Sequence, residues 1–110
     1  MSLTAVDLLE ELRAALDEIE PLLAGRIVDI EMSRLRVLAD SVPFRREFVS
    51  LIESAVAEAE PADPITVRVA RAGKVARVEV VNERRDARSD VVIGSMTLPL
   101  VPGSARAADA

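Results

Sequence analysis

Three polar residues at helical spacing are the first candidates for chemistry in this 110-residue sequence. Glu53 and Ser54 follow Ser50 at intervals of three and four residues, which places all three on one face of a predicted helix. A carboxylate between two hydroxyls could accept a proton or bind a cation, although a solvated surface carboxylate is the more common occurrence. The sequence contains no His and no Cys. This excludes, within the chain, a Ser-His-Asp relay, a phosphohistidine acceptor, a thiolate nucleophile and zinc sites built from thiolates or imidazoles.

A run of charged residues supplies the second candidate group. Residues 82–90 show no hydrophobic periodicity, and Ala87 is the only apolar side chain among them. Arg84, Arg85 and Arg88 therefore most simply belong to a solvated loop, with contact to a phosphate group or an acidic partner as the alternative.

Composition narrows the classes of partner. The 14 basic and 19 acidic residues give a net charge of -5, so the chain repels phosphate backbones and anionic membrane surfaces. Phe44 and Phe48 are the only aromatic residues, which argues against base-stacking platforms. We therefore expect neither nucleic acid nor a membrane surface as a direct partner. Because 50% of the residues are hydrophobic, the chain is expected to form one compact domain.

Two features of the sequence favour a cytoplasmic location for the domain. Residues 91–101, a nearly apolar stretch, are too few to span a bilayer. Acidic residues at Asp7, Glu10 and Glu11 interrupt the start of the chain, unlike the layout of a secretory signal. We expect a cytoplasmic domain, which could belong to a larger, membrane-bound protein.

The first half of the sequence predicts a helix followed by two strands. Apolar residues of the helix recur every three or four positions: Leu9, Leu12, Leu16, Ile19 and Leu23. Thr4 is expected to cap its N-terminus, and Pro21 to kink or end it near Glu20. Arg26–Met32 alternates as a half-buried strand, and Arg36–Ala39 is a shorter strand candidate.

The second half predicts a helix, a hairpin and a last strand. The helix runs from about Pro43 to Ala59. Its expected buried stripe is Phe44, Phe48, Leu51, Ile52, Ala55 and Ala59. An antiparallel hairpin covers Ile65–Val81. In the last strand, Val91–Val101, Gly94 is expected to mark a bend or bulge and Pro99 a sheet edge or strand end.

These elements predict an α+β fold. Two main helices should pack on one face of a mixed, mostly antiparallel sheet of about five strands, as a two-layer α/β sandwich. The domain is expected to cover residues 4–102, with a flexible tail at 103–110.

Five strings of residues match, in order, the segments of one known family. Val6–Leu12 matches the entry into its first helix, and Ile27–Met32 matches its next strand. Ala39 and Asp40, followed after a short loop by Phe44–Ala55, match the run of its second long helix, on which two Asn lie one turn apart. Ile65–Val81 matches its hairpin, and Met96–Leu100 its closing strand. The sequence thus resembles the ATP-binding catalytic domain of sensor histidine kinases over nearly all of Val6–Val101. Apolar patterning carries most of this resemblance.

The resemblance implies positions for a magnesium site. Ser50 and Ser54 stand where the family has the two Asn that hold Mg²⁺, and Glu53 matches a commonly acidic position between them. A hydroxyl reaches less far than a carboxamide and is a poorer ligand for Mg²⁺.

The resemblance also implies an adenine site. The family reads adenine with an Asp followed by Gly-x-Gly, and the matching positions are Asn82, Arg84 and Asp86. Asn82 has one acceptor oxygen where a carboxylate has two, and larger side chains replace both glycines. A long lid follows this motif in the family, whereas here only residues 83–90 precede the last strand.

These departures favour a degenerate histidine kinase-type domain of two-component signalling or phosphotransfer, which binds no ATP, has no catalytic or metal-binding residue and needs no cofactor. The resemblance implies a protein partner, either a response-regulator receiver domain or a helical dimerisation module. Its expected contact surface is the exposed face of the first helix or the face of Ser50, Glu53 and Ser54. Two alternatives remain. One is an ATP- and Mg²⁺-binding catalytic domain with an atypical pocket using Glu53 and Asn82, and the other is an unrelated α/β interaction domain.

Overall fold

The computed structural model describes residues 3–23, 25–58, 63–82 and 91–102. The predicted tail, residues 103–110, lies outside them. The described residues form β1 (Thr4–Asp7), α1 (Leu8–Glu18), α2 (Glu20–Leu23), β2 (Val28–Glu31), β3 (Arg36–Ala39), α3 (Ser41–Glu58), β4 (Ile65–Ala72), β5 (Val75–Asn82) and β6 (Val91–Pro99). Among the helices described, none has the length and apolar character needed to cross a membrane.

The strands form two sheets. In the larger sheet the strand order is β2-β4-β5-β6, with β2 parallel to β4 and the other neighbours antiparallel. In the smaller sheet β1 pairs antiparallel with β3. The sheets are linked by a bridge between Val37 and Leu100 and by the N–H of Val101, which donates to the carbonyl of Arg36 at 3.0 Å. The predicted α+β sandwich with a mixed sheet is confirmed.

The core lies between the two long helices and the larger sheet. It includes Leu8, Leu12 and Ala15 of α1, Phe44, Phe48, Ile52 and Ala55 of α3, and Ile65, Val67, Ala76, Val78 and Val80 of the sheet. The rings of Phe44 and Phe48 stack with their centroids 6.3 Å apart. Leu51 is half-buried rather than buried, and Ala59, also predicted in this stripe, lies outside the described residues.

The N-terminal segment differs from the sequence prediction. Thr4 does not cap α1, because it lies in β1 opposite Ala39 of β3. The cap is Asp7, whose Oδ1 accepts a hydrogen bond from the N–H of Glu10 at 3.2 Å. Pairing with β3 satisfies the backbone of Thr4 to Asp7 in extended form, so the helix begins only at Leu8.

The predicted hairpin is present as β4 and β5. Their register runs from Ile65 opposite Asn82 to Ala72 opposite Val75. Gly73 at the turn has a φ of 65°, a left-handed conformation that glycine adopts without the steric cost of a side chain.

β6 carries the predicted irregularity. Val80 of β5 lies opposite Gly94, but the next residue, Val81, lies opposite Val92. The extra residue in β6 therefore forms a bulge beside Gly94. The strand ends at Pro99, as its proline predicts.

Candidate functional site

Three polar residues of α3 lie together on the exposed side of the helix. Phe48 and Ile52 face the opposite way and are fully buried. Ser50, Glu53 and Ser54 are exposed, as their spacing predicts. We call these three residues the α3 polar face. Its chemistry is that of two hydroxyls and one carboxylate in contact with solvent.

Asn82, the last residue of β5, is placed very differently. It lies between Ile65 of β4 and Val91 of β6, and strand alternation puts its side chain on the helix-facing side of the sheet with Val80. The residue is 0% exposed. Neither its Nδ2 nor its Oδ1 has a hydrogen-bond partner among the described residues. An unpaired buried amide costs about 1–3 kcal/mol, and the described residues offer Asn82 nothing that offsets this cost.

α3 packs against β6 near the end of β5 that carries Asn82. A Cβ placed on Gly94, which lies opposite Val80, would be only 2.6 Å from Cδ2 of Leu51. Leu51 directly follows Ser50, so the helix turn that bears the α3 polar face also makes this close contact. No hydrogen bond joins Asn82 to the α3 polar face. The three α3 residues are thus exposed to solvent, whereas Asn82 is buried.

Two predicted site positions fall in the connection between β5 and β6. Arg84 and Asp86 lie outside the described residues, as do Arg85 and Arg88. They belong to the connection between β5 and β6, which consists of residues 83–90.

A charged cluster links the two long helices. Arg45 of α3 donates from Nε to Glu11 Oε2 and from Nη1 to Glu18 Oε1, both at 3.0 Å. The hydroxyl of Ser41 also donates to Glu11, at 3.4 Å. The hydrogen bond with Glu11, followed by the charge of that carboxylate, raises the pKa of Arg45 above its ordinary value. This cluster ties α1 to α3.

In the described ranges of the chain, no three acidic, His or Cys side chains come together as a metal site.

A groove that sequence reasoning missed lies between α1 and β2. Its volume is about 480 Å³, and its walls are Leu9, Arg13, Leu16, Asp17, Val28, Asp29, Ile30 and Met32. A second hollow of about 280 Å³ shares three of these residues and continues toward Glu20 and Leu23. Leu9 and Leu16 belong to the apolar pattern of α1, and that pattern alone predicts that they are buried in the core. In the structure both are only half-buried and line this groove.

Comparison with known proteins identifies the architecture. No protein-family model matches the chain, and curated proteins give no match. Solved structures do match. The mycobacterial sensor histidine kinase MprB is similar with a TM-score of 0.65 at 16% identity, over 73% of this chain and 54% of that chain. The nucleotide-free catalytic domain of histidine kinase ThkA gives 0.64 at 22% identity, over 76% and 60%.

The fold is that of histidine kinase catalytic domains. A third match, histidine kinase AdeS of Acinetobacter baumannii, has a TM-score of 0.67 at 13% identity, over 81% of this chain and 46% of that chain. ThkA in complex with the response regulator protein TrrA gives 0.62 at 20% identity, over 74% and 25%. The chain thus spans about half to three fifths of the first two structures. At these identities the likeness establishes the fold. The predicted hairpin, β4 and β5, lies in the same sandwich as α3.

Proposed function

We propose that this chain is a degenerate histidine kinase-type domain of a two-component or phosphotransfer system, which binds no ATP and acts through protein contacts. The observation that carries the proposal is the enclosure of Asn82. Its position corresponds, by the resemblance, to the residue that reads adenine. A side chain that contacts a base must be reachable from solvent or from a cavity, and Asn82 is 0% exposed.

The α3 polar face supports the same proposal. Ser50 and Ser54 present short hydroxyls at the positions where the resemblance places magnesium-binding carboxamides. Mg²⁺ demands near-ideal octahedral oxygen geometry at about 2.1 Å. Glu53 adds a carboxylate, but among the described residues it belongs to no group of three acidic side chains that could hold a metal ion. These residues do not fit a magnesium–triphosphate group.

The connection between β5 and β6 also supports it. Residues 83–90 are few, and they contain no Gly. Backbone amides wrap a phosphate closely where glycines permit the necessary turns. A lid of the family's kind needs a longer, Gly-rich segment than this.

Calorimetry tests the absence of nucleotide binding. Titration with ATP and Mg²⁺ should give no saturable heat at concentrations up to about 1 mM. A nucleotide-binding histidine kinase catalytic domain, titrated under the same conditions, is the positive control. A dissociation constant in the micromolar range for this chain would overturn the proposal.

A double variant tests why binding is absent. Ser50→Asn with Ser54→Asn restores the carboxamides of the resemblance while leaving Asn82 enclosed. We expect the variant to remain unable to bind ATP, because the position that corresponds to adenine recognition is still closed. If these two substitutions alone gave magnesium-dependent binding, the enclosure of Asn82 would not be the reason for the loss.

The protein-contact part of the proposal has its own test. The expected partner is a receiver domain or a His-bearing helical hairpin of the parent signalling system, and the match to ThkA in complex with a response regulator supports a partner of that kind. We expect co-purification with one of the two, unchanged by adding ATP. Failure of both purified domains to bind, with each shown to be folded, would contradict it.

One observation favours a second candidate function. Two amide atoms of Asn82 have no partner among the described residues, and a purine edge could bind both if the interior opened to admit one. The chain would then be an ATP-binding catalytic domain with an atypical pocket, using Glu53 and Asn82. Chemical shifts of the Asn82 side-chain amide during titration with adenosine nucleotides separate the two functions: large, saturable changes support the second.

A further inference from the structure

Within the described residues, β2 is an edge strand of the larger sheet. In the described parts of the chain, β4 is the strand that pairs with it. The N–H of Ile65 donates to the carbonyl of Ile27 at 3.2 Å. In a parallel ladder every second residue directs its N–H and C=O groups toward the same neighbouring strand. Because Ile27 bonds to β4, the backbone groups of Asp29, two residues later, also point toward β4. The N–H and C=O groups of Val28 and Ile30 therefore point away from the sheet, toward the open edge.

The groove between α1 and β2 adjoins this edge. Val28, Ile30 and Met32 form its strand wall, and Leu9 and Leu16 form part of its helix wall. All five side chains are half-buried. A strand added beside β2 would direct every second side chain to the helix-facing side, next to these apolar groups. The groove is thus placed to receive apolar side chains from such a strand.

The two hollows beside the edge are lined by three acidic side chains, Asp17, Glu20 and Asp29, and by two basic ones, Arg13 and Arg26. Asp29 is exposed on the other face of β2, and neither it nor Asp17 or Glu20 forms an ion pair within the described residues. Arg13 is the basic side chain of the larger groove. A second copy of this chain paired edge to edge through β2 would bring acidic side chains against each other, which is unfavourable. A basic partner strand would instead be attracted.

We propose that the open edge of β2, with the adjoining groove, binds an extended segment of a partner protein in which apolar and basic residues alternate. The partner's backbone pairs with Val28 and Ile30, its apolar side chains enter the groove, and its basic side chains lie near Asp29. This site is on a different element from the α3 polar face and does not depend on the absence of ATP binding. The two proposals can therefore fail separately.

A designed peptide tests the proposal. The probe is a fluorescein-labelled hexapeptide of alternating Lys and Val, and we expect it to bind with a Kd of about 100 µM. In backbone amide spectra, the largest changes should fall on Val28 and Ile30, whose N–H groups face the edge, with smaller changes on Asp29. A peptide with Glu in place of Lys, and one N-methylated along its pairing edge, should bind at least tenfold more weakly.

Two charge variants complete the test. Asp29→Lys should weaken binding of the Lys peptide about fivefold. Glu47→Lys, an exposed position of α3 with the same change in charge, should leave it unchanged. The proposal is overturned by equal binding of the Glu peptide, by equal effects of the two variants, or by no saturable binding at about 1 mM. It is also overturned by tighter binding of a peptide with the same residues in helical order, or by a dimer of this chain that the peptide dissociates.

Discussion

Gly94 lies directly beneath Leu51, so closely that a Cβ at position 94 would be 2.6 Å from Leu51 Cδ2. We expect Gly94→Ala to lower the free energy of unfolding by about 1 kcal/mol, because the Leu51 side chain must move and α3 packs less closely on β6. Urea unfolding followed by circular dichroism measures the change. Ser95→Ala, at the next and exposed position, is the control and should have little effect.

A Leu51→Ala variant tests whether the clash with Leu51 causes this loss of stability. With Leu51→Ala already present, the clash is gone, and alanine is favoured over glycine within a strand by about 0.5–1 kcal/mol. Gly94→Ala should therefore become neutral or stabilising there. An equal loss of stability in both backgrounds would show that the close approach of Leu51 is not the reason.

The N-terminal cap of α1 depends on Asp7. Asp7→Ala should lower the free energy of unfolding by about 1 kcal/mol, because the N–H of Glu10 loses its acceptor. Asp7→Asn keeps an acceptor for the cap but removes the 3.8 Å ion pair with Arg34, so it should cost much less. Thermal or urea unfolding compares the two. Similar losses for both variants would assign the effect to the charge rather than to the cap.

Thr4 shows a limit of the sequence pattern. A Thr at the start of an apolar-periodic segment predicts a cap, and Asp7 fits the same rule three residues later. What decides between them is pairing with Ala39, which lies 35 residues away and is not visible in the local sequence. By contrast, α3 was predictable, because Phe44, Phe48 and Ile52 repeat at the helical period over a long segment.

The candidate site also has features that the sequence predicts and features that it does not. The exposure of Ser50, Glu53 and Ser54 follows from helix geometry and was predictable. The burial of Asn82 was not, because the exposure of a strand's last residue depends on what packs over the sheet there. The groove beside β2 was also beyond reach, since it results from the separation between two elements rather than from either sequence.

Arg45 should contribute to stability through its contacts with α1. Arg45→Ala should lower the melting temperature by several degrees, whereas Arg46→Ala, the exposed neighbour, should change it little. Arg45→Lys should recover only part of the loss, because one ammonium cannot reproduce the two directed N–H contacts. Thermal unfolding in low and high salt provides the measurement, and equal losses for the two alanine variants would contradict the assignment.

The direction of the Arg45 pKa shift predicts how the contribution of Arg45 to stability depends on pH. The pKa of Arg45 is raised in the folded state, chiefly by the hydrogen bond with Glu11. A raised pKa gives stability that is complete below the unfolded-state value and is lost only as the pH rises through the folded-state value. Both lie far above neutrality for Arg. The difference between wild type and Arg45→Ala should therefore stay constant from about pH 7 to pH 10; a decline within this range would contradict it.

Removing the amide of Asn82, which has no hydrogen-bond partner among the described residues, should stabilise the protein. Asn82→Leu replaces these two polar atoms, Nδ2 and Oδ1, with an apolar side chain of similar size. We expect a gain of about 1–2 kcal/mol in the free energy of unfolding, measured in urea. Thr66, whose Oγ1 is likewise buried without a partner among the described residues, offers the matched control Thr66→Val. A loss of stability for Asn82→Leu would mean that its amide is satisfied in the folded protein.

Asn82→Asp should make stability depend on pH in a predictable direction. The carboxyl would be buried without a positive partner among the described residues, and burial raises the pKa of a carboxyl. Below the unfolded-state pKa of about 3.9 the group is protonated in both states, so the variant should be close to wild type. As the pH rises above that value, only the unfolded chain ionises freely, and the loss of stability should grow until the folded-state pKa is reached. Unfolding free energies of wild type and variant, measured side by side across this range, give the difference. A loss that is the same at acidic and neutral pH would place the introduced carboxyl in contact with solvent. The enclosure of Asn82, on which the proposed loss of nucleotide binding depends, would then be contradicted.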